Sequence, residues 1–522
     1  MMKKTVMLIL LSAFLTHYAQ AQTKVFKEVG EGISSQIKSI RQDNALVGYL
    51  IFTRLEKASV DSFNYRITIM DENLNNIGKV DFKDIGLTLK DVSFDQDVLC
   101  LGYLKSNFLY QNYKNNSNYR KAAAVAKNFV MLQFISLNGK IINANSIKAD
   151  INTDNSHSPY YEKFYASGKL KSPILVKNIS QKGFACFFGD ESGNNLLVYN
   201  AKGEQLWQKK LSLNADEFDM LTSGTNIYLL TKKAQNNESD YELNGYRSTD
   251  VNTETHLSLK DEQGNQLTVL KFDNDIVTGK PYLAGCIINP KRQDKHYTGR
   301  DISKGPYLGI FTLNINGDKP EQVKKEFTYW SDGSTQGVSD RGLFAETDSY
   351  ALFTDAFRDF NGNTYFAGPQ VIRKTRWGSI ASTIITAPLL VPPIWITTGL
   401  GFSKCKITDA MLVKQNGQGA LSVENSIPTD HSSYHKAAMS LSWYNNKSFY
   451  PVFNSDTKTN YLVIDDEKNI FIYNVNKKQV VRTIPHKDGG IKTYVYPAKE
   501  GHIMVSEYDK KEKSTRISIE AL

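Results

Sequence analysis

Cysteine is scarce in this chain: Cys100, Cys186, Cys286 and Cys405 are the only four in 522 residues. Their spacing matches no disulfide or zinc framework, which excludes a stapled mini-domain and a zinc ribbon. Three of them lie inside apolar runs (Val98-Leu99-Cys100-Leu101, Phe184-Ala185-Cys186-Phe187 and Ala284-Gly285-Cys286-Ile287), where cysteine acts as a small buried hydrophobe. A strong excess of one charge is also missing. Of the formal +9, Lys3 and Lys4 supply two, and the remaining +7 is spread along the chain. The dense run Asp509-Lys510-Lys511-Glu512-Lys513 interleaves acids with lysines, as a solvated turn does. With no basic helix and no Lys/Arg stripe carrying regular aromatics, nucleic acid is not an expected partner.

Catalytic and cofactor signatures are lacking too. The Ser/Asp/Gly-rich stretch Ser331 to Gly342 has no lysine-bearing phosphate-loop pattern. His431 and His435 have i,i+4 spacing, but Thr429-Asp430-His431-Ser432-Ser433-Tyr434-His435 is a polar loop rather than a helix that would aim two imidazoles at one metal. Asp359-Phe360-Asn361-Gly362 starts like a calcium loop, yet Gln370 stands where the closing glutamate belongs, so the segment is expected to be a turn. No cofactor and no metal are expected. Carboxylates for glycoside chemistry are plentiful, and only convergence in three dimensions would single out a pair. The 28 Tyr and 26 Phe are simplest as strand and core residues, with a sugar- or peptide-binding face as the alternative.

Long apolar runs are confined to two places. At the N-terminus, Lys3 and Lys4 precede the apolar stretch Thr5 to Leu15, too short to span a bilayer as a helix, and Ala19-Gln20-Ala21 follows. This is a signal-peptide pattern over residues 1–21, with cleavage after Ala21 leaving Gln22 first. The protein is therefore expected to be exported, to a periplasm or the exterior, with an uncleaved anchor as the alternative. The second run is the insertion described below.

Glycine, by contrast, is patterned. Gly78, Gly139, Gly203, Gly264, Gly317 and Gly417 each sit in a polar segment after a β-prone run, and their successive separations are 61, 64, 61, 53 and 100 residues. A further turn, Asn476-Lys477-Lys478, follows Gly417 by 59 to 61. Recurrence every ~60 residues implies a repeated strand module. More continuously apolar runs lie upstream: Val98 to Leu104, Phe184 to Phe188, Tyr282 to Ile288 and Tyr350 to Phe353. Continuous runs imply burial on both faces. They are expected to be inner strands, with the glycine hairpins outside them, as in a propeller blade.

The expected fold class is thus all-β, a single β-propeller domain over residues 22–522. About seven blades are expected, with six to eight open. Strands between Gly490 and Leu522 are expected to complete a blade begun near Val47 to Phe52, which would remove exposed sheet edges. The continuously apolar runs argue against an outer-membrane barrel, whose strands alternate lipid-facing and lumen-facing residues. The ~60-residue period is short for a string of β-sandwich domains. Tyr65-Arg66-Ile67-Thr68-Ile69-Met70-Asp71-Glu72-Asn73-Leu74 and Asp359-Phe360-Asn361-Gly362-Asn363-Thr364-Tyr365-Phe366-Ala367-Gly368 resemble hairpins of uncharacterised secreted β-propeller-like proteins of Gram-negative bacteria. That resemblance covers local hairpins and transfers no functional residue.

The 100-residue separation contains an insertion, residues 373–406. From Trp377 to Ser403 no residue is charged, while Arg373, Lys374 and Arg376 flank one side and Lys404 and Lys406 the other. One closed ring puts both flanks on the same side of any membrane, which excludes a single crossing, and 27 residues are too few for two helical crossings at ~20 each. Pro388, Pro392 and Pro393 would break a helix near the middle. Three readings stay open: a flap on a propeller face, a hairpin dipping into lipid headgroups, and a partner-binding element, with Trp377 and Trp395 as the contact residues. The functional expectation is an exported binding or scaffold propeller for a protein or glycan ligand, with peripheral membrane contact through 377–403. The alternative is a propeller hydrolase acting on glycans at its central channel.

Overall fold

A computed structural model describes the chain apart from residues 1–21, 28–33, 44, 114–115, 150, 154–163, 166–167, 171, 191–192, 214, 236–237, 290–304, 306, 318–319, 333–336, 376–402, 434 and 437–446. The regular elements among its described residues are strands, apart from one helix, Asn116–Ala124, and two 3-10 turns.

The strands pair into successive antiparallel sheets of four. Sheet 1 holds Ser34–Gln42, Ala45–Lys57, Ser62–Asp71 and the first half of Asn76–Asp95. That 20-residue strand runs on, from Gly86, as the first strand of sheet 2, beside Val98–Ser106, Asn128–Ser136 and Ile141–Lys148. Sheet 3 is Leu175–Ile179, Gly183–Asp190, Gly193–Tyr199 and Gln205–Leu211; sheet 4 is Glu217–Ser223, Asn226–Gln235, Glu238–Arg247 and Asp250–Leu259. Sheet 5 is Leu267–Asn274, Pro281–Ile288, Tyr307–Ile315 and Val323–Tyr329. In sheet 6 the first strand is split into Ser349–Ala351 and Asp355–Arg358, followed by Thr364–Thr375, Ser403–Gln415 and Leu421–Ile427. Sheet 7 is Ser448–Asn454, Thr459–Asp465, Asn469–Asn474 and Gln479–Pro485. Sheet 8 takes Ile491–Pro497, His502–Asp509 and Ser514–Ala521 from the C-terminus, and its fourth strand is Gln22–Lys27 from the other end of the chain.

The cores close in a cycle. One apolar cluster joins sheets 1 and 2, another sheets 2 and 3, and so on to sheets 7 and 8. The last joins sheet 8 to sheet 1 through Met504, Ile517 and Ile519 against Tyr49, Ile51 and Met70. Alternation along a strand produces this. In sheet 3, Phe184, Cys186 and Phe188 enter the core shared with sheet 2, while Ala185 and Phe187 enter the core shared with sheet 4. Each fully buried large side chain contributes about 1.5–3 kcal/mol of transfer free energy. The first strands of sheets 1 to 7 neighbour one another in order, so they surround a common axis. This is the β-propeller architecture: within each sheet the second and third strands are paired on both edges.

Several expectations are corrected. Val98 to Leu104, Phe184 to Phe188 and Tyr282 to Ile288 are second strands, not the innermost ones. The second strand is the one flanked by both neighbouring sheets, whereas the first strand borders the axis and carries polar residues. The strand shared between the termini is Gln22–Lys27, and Val47 to Phe52 belongs to sheet 1. Gly264 is out of phase: it lies in the link between sheets 4 and 5, and the corresponding hairpin of sheet 4 turns at residues 248–249.

The turn motif itself is a five-residue loop whose first residue is Asp, Asn or Ser. In Asn200–Glu204 the Asn200 Oδ1 accepts the N–H of Lys202 (2.9 Å) and Glu204 (3.0 Å), and Gly203 takes φ 74°. Ser136–Lys140, Asp261–Asn265, Asp359–Asn363 and Asn416–Ala420 close in the same way, with Gly139, Gly264, Gly362 and Gly419 left-handed. In the first such turn Leu74, at φ 64°, replaces the glycine. Gly78 lies beyond that turn, and Gly317 and Gly417 are not left-handed.

Candidate functional site

Antiparallel pairing sends the first-to-second and third-to-fourth connections to one end of every sheet, and the other connections to the opposite end. The two ends differ sharply. At the first, no connection exceeds the seven residues of 316–322. At the second lie all the long ones: 107–127, 149–174, 289–306, 330–348, 376–402 and 428–447. Binding surfaces are commonly built from long connections on a rigid scaffold.

At the short-turn end, side chains tie neighbouring first strands and turns to one another. Asn178 Nδ2 donates to Asp43 Oδ1 (2.7 Å), Thr222 Oγ1 donates to the Asn178 carbonyl (2.7 Å), and Asn274 Nδ2 donates to the Thr222 carbonyl (2.9 Å). Asp95 accepts the N–H of Gln181 and Gly183, and Arg358 pairs with Asp275 at 3.0 Å. This ladder links the first strands of sheets 3 to 5 to the first turn of sheet 1.

Deeper along the first strands, charges of both signs alternate around the axis. Asp91 accepts the N–H of Val176 from the neighbouring strand (2.8 Å). Burial pushes its carboxyl up, against the pull of Lys177, those N–H groups and Lys38. Burial also raises Asp219, again opposed chiefly by Lys177. Asp355 is pushed up to about 6 by burial, with Lys271 opposing and Asp273 reinforcing the shift. Lys271 and Asp273 pair at 3.5 Å. Lys90 is lowered by burial and by Lys38, whose Nζ donates to the Lys90 carbonyl (3.1 Å). Sheets 2 to 6 thus present a mixed-charge arc in which burial raises the carboxyls of Asp91, Asp219 and Asp355 against the pull of neighbouring lysines.

The seam between sheets 8 and 1 is different. At the other seams, first-strand residues such as Val176, Ile179, Met220, Leu267 and Val495 are buried. At this one the buried cluster draws only on later strands and turns. Tyr496 pairs with Met504 and Ile37 with Ile51, so both face the seam, yet Tyr494, Tyr496 and Ile37 remain 44%, 45% and 41% exposed. Two half-exposed tyrosines therefore stand on the first strand of sheet 8, the Tyr494 ring edge-on to His486 with centroids 6.2 Å apart.

The residues singled out from sequence do not converge. Trp377 and Trp395 lie outside the described residues. The insertion's two ends do meet, because Thr375 pairs with Ser403 at the tip of a hairpin. His431 bonds Asp409 Oδ1 through Nε2 (2.7 Å) and contacts Lys406 through Nδ1 (3.2 Å). His435 lies on a two-residue strand paired with Ser403–Gln415, so the two histidines share no helix. Asp359 is a turn cap, its Oδ1 taking the N–H of Asn361 and Asn363. All four cysteines are buried free thiols, and burial raises Cys100, which neighbours Cys186. Asp219, Asp355, Tyr494 and Tyr496 were missed. The alternation in Thr493-Tyr494-Val495-Tyr496 is a strand signal, but nothing in it tells that the tyrosine face stays half-exposed.

No family model matches the chain, and no curated protein matches it. Among solved structures, it is similar to the WD40 domain of SCAP from fission yeast, with a TM-score of 0.39 and 9% identity over 96% of this chain and 98% of that one. Sqt1 from Chaetomium thermophilum gives 0.38 and 9% over 93% and 95%. Apo AztD from Citrobacter koseri gives 0.31 and 9% over 75% and 92%. What the sheets themselves establish is that the chain is a β-propeller.

Proposed function

We propose that this chain is an exported, eight-bladed binding propeller whose ligand approaches the end carrying the long connections. The carrying observation is the asymmetry of the two ends: six long connections gather at one, and a hydrogen-bond ladder ties the other. Export rests on the pattern of residues 1–21. The closing strand begins at Gln22, the residue that cleavage after Ala21 makes first. The insertion emerges from a hairpin at the long-connection end, where it would contact lipid or a partner through Trp377 and Trp395.

Photo-crosslinking in intact cells tests this reading. p-Benzoylphenylalanine placed at Ser433, on a long connection, is expected to give discrete adducts, and the same group at Asn361, in a short turn, none. Adducts from Asn361 alone, or from neither site, would contradict it. Lipid contact is tested separately: sedimentation with anionic liposomes is expected to vanish when residues 377–403 are deleted.

A second reading, a glycan hydrolase, is favoured by one observation. Asp355 is held at about 6, the range of a general acid near neutral pH, with Asp273 and Asp219 electrostatically linked to it or its neighbours. It predicts glycan cleavage that Asp355→Asn abolishes.

A further inference from the structure

We propose that the ring opens and re-closes at one seam, between sheets 8 and 1, and that the capped turn Asp71–Asn75 is the catch that holds it shut. The catch joins the third and fourth strands of sheet 1, so it lies at the short-turn end, away from the long connections. In the other capped turns the fourth residue is a left-handed glycine: Gly139, Gly203, Gly264, Gly362 and Gly419. Here it is Leu74, at φ 64°. That conformation disfavours any residue with a Cβ, and asparagine tolerates it better than leucine. Asparagines stand on either side, at 73 and 75, yet leucine occupies the strained position. Strain of this kind persists where the surrounding structure depends on the residue that bears it.

The seam is what depends on it. Leu74 is buried in the apolar cluster between the two sheets, with Tyr49, Ile51 and Met70 of sheet 1 and Met504, Ile517 and Ile519 of sheet 8. Glycine at this place would relieve the backbone and leave a hole in that cluster. Sheet 8 also grips the turn with two lysines. Lys24, on the strand from the N-terminus, donates through Nζ to the Leu74 carbonyl (3.2 Å) and to Asn76 Oδ1. Lys499, in the first-to-second connection of sheet 8, donates to Asn73 Oδ1. Asp71 keeps the turn in shape for both, its Oδ1 accepting the N–H of Asn73 (2.9 Å) and Asn75 (2.8 Å).

The neighbouring seams are held more firmly. A single strand, Asn76–Asp95, runs through sheets 1 and 2. Sheets 7 and 8 are tied through the backbone, where the Gly501 N–H donates to the Phe453 carbonyl (2.6 Å) and the Ser455 N–H to Glu500 Oε1 (2.7 Å). Between sheets 8 and 1 the buried cluster is the smallest of the eight among the described residues, and no first strand enters it. Lys24 and Lys499 are flexible side chains whose bonds break one at a time. The fourth strand of sheet 8, Gln22–Lys27, is paired along one edge only. A contact with few buried apolar groups parts at a lower free energy than the molecule as a whole unfolds.

Thiol labelling of the mature chain, residues 22–522, reads the opening directly. Ile517→Cys places a thiol inside the seam, and Ile227→Cys places a matched one between sheets 3 and 4, where Ile227 is fully buried. The native Cys186 and Cys286, buried in two other seams, are internal references. With iodoacetamide and peptide mapping, position 517 is expected to label at least about tenfold faster than position 227. Adding Leu74→Gly should speed labelling at 517 by at least about tenfold again and leave Cys186 and Cys286 unchanged, because the lost side chain outweighs the relieved φ. Lys24→Met with Lys499→Met keeps both stems and the core intact, and should speed labelling at 517 by about threefold or more. The proposal is overturned if positions 517 and 227 label equally. It is overturned too if Leu74→Gly slows labelling at 517 or speeds Cys186 and Cys286 as much, or if the lysine variant labels at 517 as its parent does.

Discussion

Asp275 and Arg358 meet across the boundary between sheets 5 and 6, with the guanidinium Nη1 3.0 Å from Asp275 Oδ2 and the side chains only 5% and 10% exposed. The same guanidinium lies 4.2 Å from the Tyr282 ring centroid, so one arginine satisfies a buried carboxylate and covers an aromatic face. Removing it leaves a buried charge unpaired. Arg358→Ala is expected to cost about 3–5 kcal/mol in urea denaturation.

Acid acts on the same pair. Burial alone would raise the Asp275 carboxyl, but the N–H of Thr278, the Arg358 side chain and the N–H of Val277 outweigh it and hold the group below the usual range. Its contribution to stability is complete above the unfolded carboxylate value of about 3.9. It is lost as pH falls through the lower folded value. Asp275→Asn should therefore flatten the acid limb of a plot of stability against pH. An unchanged limb would show that other carboxylates dominate it.

Asp355 has the opposite sign. Its folded value of about 6 lies above the unfolded one, so the fold holds the proton more tightly and stability declines as pH rises between the two. Asp355→Asn removes that penalty. Its melting temperature should exceed the parent's at pH 7.5 and match it near pH 4. Equal melting temperatures at both values would place the Asp355 carboxyl in a solvated setting.

The left-handed turn glycines offer a graded comparison. A Cβ on Gly264 would meet nothing within 4 Å, whereas one on Gly203 would lie 2.6 Å from Phe134 and 2.8 Å from Asn143. Gly264→Ala should cost about 1 kcal/mol, from the positive φ alone. Gly203→Ala should cost more, because Phe134 is fully buried in the core between sheets 2 and 3. Equal losses would mean that the close packing of Gly203 on Phe134 carries no energy.

Local chemistry made much of this fold legible. A turn whose first residue caps two N–H groups and whose fourth is glycine leaves a recognisable imprint, as at Asn200–Glu204. The apolar second strands do so as well, because alternate residues of Phe184 to Phe188 serve two different cores. What depends on packing between sheets was not legible. Gly264 matched the period by coincidence, since a capped turn serves a link between sheets as well as a hairpin within one. The strand Gln22–Lys27 carries no mark of pairing with residues almost 500 positions away. Tyr494 and Tyr496 look like any strand aromatics, and nothing local to them tells that they stay half-exposed. The carboxylates of the channel gain meaning only from the lysines of neighbouring strands.

The core itself can be probed by truncation. Phe187→Ala is expected to destabilise the chain by about 3–5 kcal/mol, because a fully buried ring leaves a cavity that the two flanking sheets cannot close. Val481→Ala, on an exposed outer strand, should change stability by less than about 0.5 kcal/mol.

The closed ring and its unequal ends depend on the two chain termini sharing one sheet. Val25 and Arg516 are register partners there, and both are exposed, whereas the four native thiols are buried. The direct measurement is therefore intramolecular disulfide formation in a Val25→Cys/Arg516→Cys variant of the mature chain, read by peptide mapping under mild oxidation. Rapid formation of a single bond between positions 25 and 516, with a raised melting temperature, is the predicted result; free thiols at both positions, or linkage only between molecules, would contradict the closed ring.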